Sequence, residues 1–350
     1  MSRLANCILF CGSLIVALTL VEIGIRLLAP QPMNGSVFEY APRGYNVLKS
    51  KGTALFEIGA SKGVYHFTSP HLRGVPPPAN AVRILVLGDS FTFGVGLAEE
   101  DTFVARLQKK INTVYGAGRV AFLNAGIGGS GTAEHLAFLE DFGDEIAPRA
   151  VIVFVSIDDF NRAQRSGLYN LRSTDSFALD EAALPTRPLK ILVQDSDMYN
   201  FIIQHVHIAQ LIRRVAIGLV FPSYSAPESM PAKELKSMNS TSADQQRLAR
   251  ALFRRMKAWC DFRGVRLAVV NNGWQSYNWL PELLVSERIT AFDAAPQVQS
   301  VIGSDPASYI IQGDGHPNAK GSAVIAEAVW PFVENFVRNG ELLNGFGTRP

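Results

Sequence analysis

Cysteine is scarce in this chain of 350 residues: there are three, Cys7, Cys11 and Cys260. The first two share one N-terminal apolar stretch and the third stands alone far downstream, so they outline neither a disulfide framework nor a thiolate metal site. The six histidines fall into no HExxH or similar spacing, and neither a metal nor a cofactor is expected. Net charge is also small. Thirty-three Lys and Arg against 31 Asp and Glu leave +2, with no Lys/Arg run, which excludes the electrostatic footprint of a nucleic-acid binder. Internal repeats and low-complexity tracts are missing too. Apolar residues are abundant, at 47%, and over this length they suffice for one membrane segment and one sizeable domain.

The membrane segment is read at the N-terminus. Residues 5–21 are almost wholly apolar, follow Arg3, and continue through Ile23, Ile25, Leu27 and Leu28. Glu22 and Arg26 interrupt the far end, where long side chains can snorkel to an interface. A secretory signal is the competing reading, but no small-x-small cleavage site follows, Leu27-Leu28-Ala29-Pro30 being a poor one. Residues 1–28 are therefore expected to form a retained anchor, with residues 4–28 in the membrane, and residues 29–80, broken by Pro30, Pro32, Pro42 and Pro76–Pro78, a linker and lead-in. A domain is expected over 81–340.

Within that domain, strands are expected at 83–87, 120–123, 150–155 and 265–270, alternating with helical patterns. Phe103, Leu107 and Ile111 recur at i, i+4, i+8 over 99–115. Further helices are expected at 132–146, 240–262 (opened by Ser/Thr caps) and 318–336, and an amphipathic one at 199–221 that covers the site. Residues 167–197 read as an irregular insertion. The alternation predicts an α/β domain, a flavodoxin-like three-layer α/β/α sandwich around a mostly parallel sheet.

Chemistry gathers at three segments. In RILVLGDSFTFG, residues 83–94, a buried apolar strand runs straight into Gly-Asp-Ser and presents Ser90 at its carboxyl end, where open α/β sheets carry their sites. A serine hydroxyl needs a base, and the base an orienting group. GDGHPNAKG, residues 313–321, supplies both in Asp314 and His316. Between them in chain order lies NAGIGGSGT, residues 124–132.

These three blocks, in this order, resemble the SGNH (GDSL) hydrolase family over about residues 82–333, more weakly from residue 65. The resemblance implies a carboxylic ester hydrolase with Ser90 as nucleophile, His316 as general base and Asp314 as its partner, although many relatives place that aspartate three residues before the histidine, where Gly313 stands here. It also implies an oxyanion hole from the N–H groups of Ser90 and Gly129 and an asparagine side chain past the next strand. In Val155-Ser156-Ile157-Asp158-Asp159 that third position holds Asp158, and an ionised carboxylate cannot donate. Four readings stand side by side: Asn161 reaches the site instead, burial keeps Asp158 protonated, the enzyme lacks a donor and is slow, or Asp158 only caps a turn.

Trp274, Tyr277 and Trp279 cluster after the strand at 265–270, and Trp274 and Tyr277 are candidate contacts for a sugar ring, against ordinary packing. Expected substrates are acetyl or short-acyl esters, small molecules or glycans of the cell envelope. The location implied is a single-pass inner-membrane protein with a periplasmic domain. An O-acyltransferase acting through the same acyl-serine, and a weakly catalytic binding or scaffold module, are the alternatives.

Overall fold

The computed structural model describes residues 3–156, 158–173, 176–184, 196–220, 242–274 and 277–339. An apolar helix α1 (Arg3–Leu28) leads into β1 (Phe38–Tyr40), β2 (Asn46–Leu48), β3 (Gly52–Ile58), β4 (Ser61–Thr68) and β5 (Leu72–Arg73). Then follow β6 (Val82–Gly88), α2 (Ser90–Phe93), α3 (Phe103–Tyr115), β7 (Val120–Gly126), α4 (Thr132–Ile146), β8 (Ala150–Val155) and α5 (Asp159–Ser166). A small hairpin, β9 (Tyr169–Leu171) and β10 (Leu179–Glu181), precedes α6 (Asp197–His205), α7 (His207–Val220) and α8 (Ala243–Phe262). The chain closes with β11 (Arg266–Asn271), α9 (Leu280–Ser286), β12 (Thr290–Asp293), α10 (Ala295–Ile302) and α11 (Ala319–Arg338).

Eight strands form the main sheet in the order β12-β11-β8-β6-β7-β5-β4-β3. From β12 to β7 all neighbours are parallel, and these five strands follow the flavodoxin order, which reverses beside β6. Alternation along β6 explains the three layers. Leu85 and Leu87 enter a core with α4 and α8, while Ile84 and Val86 enter a second core with α3, α10 and α11. The α/β/α sandwich is thus present, with one long apolar helix before it.

Residues 29–80 are not a linker. β5 pairs antiparallel with β7, β4 with β5 and β3 with β4, so this segment extends the sheet. Its Tyr45, Leu48, Phe56 and Tyr65 are buried in the same core as Leu85. The proline punctuation marks some of its turns, while β3 and β4 are half-exposed and carry no continuous apolar run. β12 escaped the sequence reading because it is four residues at the sheet edge, with no apolar run. The helix expected over 199–221 is two helices meeting at Val206, and their described contacts are with α1, Asn34 and Leu55. Of the irregular insertion, residues 174–175 and 185–195 lie outside the described residues.

α1 spans 26 residues, about 39 Å at 1.5 Å per residue, and contains an 18-residue window with a mean hydropathy of 2.4, none of it buried.

Candidate active site

β6 ends in Gly88, and the chain turns at once into the single-turn helix α2. The Asp89 side chain caps that turn by accepting the Phe91 N–H at 2.9 Å. Ser90 is therefore the first helical residue at the carboxyl edge of a buried strand. It is only 6% exposed, and its N–H belongs to a first turn that lacks intrahelical acceptors. Gly94 closes the turn at φ 81°, a left-handed conformation that favours glycine.

From the opposite end of the sequence, the loop before α11 delivers the base. Asn318 caps α11 by accepting the N–H groups of Lys320 and Gly321, which fixes the approach of Pro317 and His316. His316 Nε2 lies 2.9 Å from Ser90 Oγ, and its Nδ1 lies 2.5 Å from Asp314 Oδ1. The same carboxylate oxygen accepts the His316 backbone N–H at 3.3 Å. A two-residue spacing thus closes on itself, with Gly313 and Gly315 supplying positive φ of 80° and 87° on either side of Asp314. Burial works to raise the Asp314 pKa, but the hydrogen bond and charge of His316 outweigh it and hold the carboxyl below its ordinary range.

The second block passes beside the serine. A side chain at Gly128 would begin 3.9 Å from Ser90 Cβ, and Gly129 next to it is exposed at φ 79° with open space on its side-chain face. Phe38 borders Gly128, so β1, in the segment read as a linker and lead-in, lies beside the site.

The third block places its residues unlike the simplest expectation. Asp158 adopts a left-handed conformation, φ 72°, at the N-terminus of α5. Its carboxylate accepts from Arg165 at 2.6 Å and lies 3.5 Å from Arg162. Asn161 does not face the serine; it is bonded to Gln245 of α8. Beneath them Asp159 is fully buried and accepts the Ser156 N–H at 2.9 Å. Burial and the neighbouring Asp89 charge push its carboxyl well above the ordinary range.

Arg162 ties the blocks together. Its guanidinium donates to Asp89 at 3.0 Å and to the Ser130 carbonyl at 3.2 Å, and sits 3.7 Å from Asp159. Sequence reasoning missed Arg162 and Arg165. Their signal was the spacing: Asp158 and Arg162 are four apart on one helix face, and Arg165 follows one turn later.

The aromatic candidates separate. Trp274 is half-buried, its ring 5.6 Å edge-on from Phe91, which is itself 5.7 Å from His316. Tyr277 is no ring-stacking surface: it is 6% exposed, packs against Phe160 and Trp279, and donates its hydroxyl to the Ser156 carbonyl at 2.8 Å. A continuous apolar strand followed by aromatics does not distinguish these two outcomes. No group of three or more His, Cys, Asp or Glu suited to a metal ion occurs among the described residues.

The family model described as "GDSL-like Lipase/Acylhydrolase family" matches residues 86–324. No curated protein matches the chain. Among solved structures it is similar to TesA, with 16% identity, 72% of this chain and 98% of that one covered, and a TM-score of 0.39. It is also similar to the psychrotrophic esterase EstA from Pseudoalteromonas sp., with 15% identity, 74% and 100% covered, and a TM-score of 0.39. A third is a two-domain esterase (CEX) active on acetylated mannans, with 13% identity, 73% and 49% covered, and a TM-score of 0.42. These are likenesses of fold alone.

Proposed function

Since this chain belongs to the GDSL-like lipase/acylhydrolase family and is a carboxylic ester hydrolase of that kind, we propose that Ser90, His316 and Asp314 are its catalytic triad and that it removes acetyl or short acyl groups from alcohols. The observation that carries the assignment is the unbroken relay from Ser90 Oγ to His316 Nε2 at 2.9 Å and from His316 Nδ1 to Asp314 Oδ1 at 2.5 Å. In this reading His316 takes the serine proton as Oγ attacks the ester carbonyl, and Asp314 stabilises the imidazolium. The tetrahedral oxyanion is held by the N–H groups of Ser90 and Gly129. Collapse expels the alcohol with the proton from His316, leaving an acyl-Ser90 ester. Water, deprotonated by the same imidazole, then releases the acid.

A short acyl group is supported by what lies behind the nucleophile. The crevice bordered by Ser90, Phe91, Val95, Leu97 and Phe103 is too narrow to admit a water-sized sphere and offers no deep channel for a long acyl chain. We read α1 as a single-pass anchor with the catalytic domain on the periplasmic side, which makes cell-envelope or exported glycans the natural acyl carriers. The span rests on length and hydropathy, and the periplasmic side on the family resemblance.

The test compares wild type with Ser90→Ala, both full-length in detergent, using a fluorophosphonate probe and p-nitrophenyl esters from acetyl upward. Ser90→Ala is expected to lose labelling and to drop kcat by about a thousandfold or more, with wild-type turnover falling as the acyl chain lengthens. A folded wild type that neither labels nor turns over overturns the assignment.

A further inference from the structure

The apolar stretch of α1 ends on two charges, and the structure gives both a task. The Glu22 carboxylate accepts the backbone N–H groups of His207 and Ile208, each at 3.0 Å, which are the first two residues of α7. Arg26, paired with Glu22 at 2.7 Å, donates to the His205 carbonyl at 2.7 Å, where α6 ends. Just beyond α1, the Gln31 N–H is bonded to His207 Nδ1 at 2.9 Å. Glu22 is thus an N-cap supplied from another helix. It satisfies two orphan donors and places negative charge at the positive end of the α7 dipole. The clasp fixes α6 and α7 beside the end of α1 from which the domain departs.

The clasped helix has two unlike faces. On one, Gln210 is buried and donates to the Asn34 carbonyl at 2.9 Å, and Arg213 donates to the same carbonyl at 2.8 Å. These bonds hold α7 to the chain that enters the domain. On the other, Ile212, Val215 and Leu219 follow one another at spacings of three and four, and they are 65%, 54% and 78% exposed. Met198 and Phe201 on α6 are exposed at 73% and 62%. Large apolar side chains gathered this way mark an interaction surface rather than a water-facing one.

We propose that α6 and α7 are an interfacial foot. The headgroup–acyl boundary of a lipid bilayer takes the stripe of Ile212, Val215 and Leu219 together with Phe201. The domain is then held at a set height and tilt instead of swinging on a tether. The occupant is lipid because the patch lies on helices clasped to the end of α1, whose 18-residue apolar window is uncovered. Arg214, exposed beside the stripe, suits anionic headgroups, as in helices that lie in a membrane plane. The inference rests on the reading of α1 as a membrane span.

The test uses the full chain carrying Cys7→Ser and Cys11→Ser, with Cys260 left buried. Single labelling sites are made by Val215→Cys, Leu219→Cys, Leu14→Cys in α1, or Phe262→Cys on α8. Each is labelled with NBD and reconstituted in phosphatidylcholine vesicles containing phosphatidylglycerol, with shallow or deep doxyl lipids as quenchers. The foot predicts several-fold quenching at 215 and 219 by shallow doxyl, quenching at 14 by deep doxyl, and none at 262. Quenching at 14 with 215 and 219 as wet as 262 overturns the foot and leaves the anchor standing. No quenching at 14 overturns the anchor and the foot with it. Labels at 215 and 219 that are shielded but insensitive to doxyl lipid, and that self-quench as protein density rises, assign the stripe to a second copy and overturn lipid as its occupant.

Discussion

Asp158 brings a carboxylate to the position where the family resemblance puts an amide, and Arg165 sits on it at 2.6 Å. A bare carboxylate near a developing oxyanion accepts and cannot donate, so its field opposes the transition state. Arg165, although 68% exposed along its side chain, pairs with the Asp158 carboxylate, and in the proposed site that pairing offsets part of its charge. Of the readings left open by the sequence, the geometry disfavours Asn161, which is committed to Gln245, and puts a paired rather than a solitary carboxylate at 158. The prediction is a cycle rather than one variant. Arg165→Gln leaves Asp158 with only the longer pair to Arg162 at 3.5 Å and is expected to lower kcat about ten- to a hundredfold with KM little changed, the size of a weakened oxyanion contact. Asp158→Asn is expected to keep or raise kcat, and in the Arg165→Gln background it restores the loss. Steady-state kinetics on p-nitrophenyl acetate measure all four corners; additive effects would remove Asp158 from the oxyanion's surroundings.

At the scale of elements, the antiparallel wing is what braces the nucleophile, and Arg73 of β5 is its instrument. Arg73 is buried, donates to the carbonyls of Phe93, Gly94 and Leu97, pairs with Glu99 at 3.0 Å, and lies over the rings of Tyr65 and Phe93. One planar guanidinium therefore holds the whole loop that leaves α2. Removing it strands several buried acceptors, so Arg73→Met is expected to cost about 3–5 kcal/mol in denaturant unfolding. Arg73→Lys should recover little, because a point charge cannot reproduce the fork or the stacking. This element also shows where the sequence was legible. Long buried strands such as β6 and β8, and helices with clear periodicity such as α4, announce themselves, and the motifs at their ends bring Ser90, Asp314 and His316 together. β3 and β4 are as long as β6 but half-exposed, β5 has only two residues, and a lone arginine before a proline-rich run gives no sign that it will be buried. Tyr277 shows the converse: an aromatic at the site edge was legible, but whether it faced outward was decided by the carbonyl of Ser156, a tertiary fact.

For the molecule as a whole, the same buried polar layer that organises the site sets its response to acid. His135 on α4 is fully enclosed, with Nε2 3.0 Å from Ser130 Oγ. Burial, reinforced by the Arg162 charge, pushes its pKa down to about 3. In the unfolded chain the same imidazole titrates near its ordinary value of about 6.5. Below that value the unfolded state gains a proton that the folded state refuses, so stability falls as pH falls, and the loss continues until the folded imidazole itself protonates. The slope from this one group approaches about 1.4 kcal/mol per pH unit across the window between those two values. Asp314 contributes in the same direction but lower, since its depressed pKa confines its loss to pH below its ordinary carboxyl range. His71 works oppositely. Although burial pulls its pKa down, its Glu39 partner raises it on balance, so that pair is fully formed in mild acid and lost as pH rises through the folded value. His135→Gln separates these terms. It should lower stability at pH near 7, where wild type holds a neutral well-packed imidazole, yet flatten the acid limb, so that the gap between the two proteins closes as pH drops toward about 4. Denaturant midpoints measured across that range decide it. A gap that stays constant would mean that His135 binds its proton in the folded protein much as it does in the unfolded one, and the acid lability would then belong to carboxyls held below their ordinary range, such as Asp314.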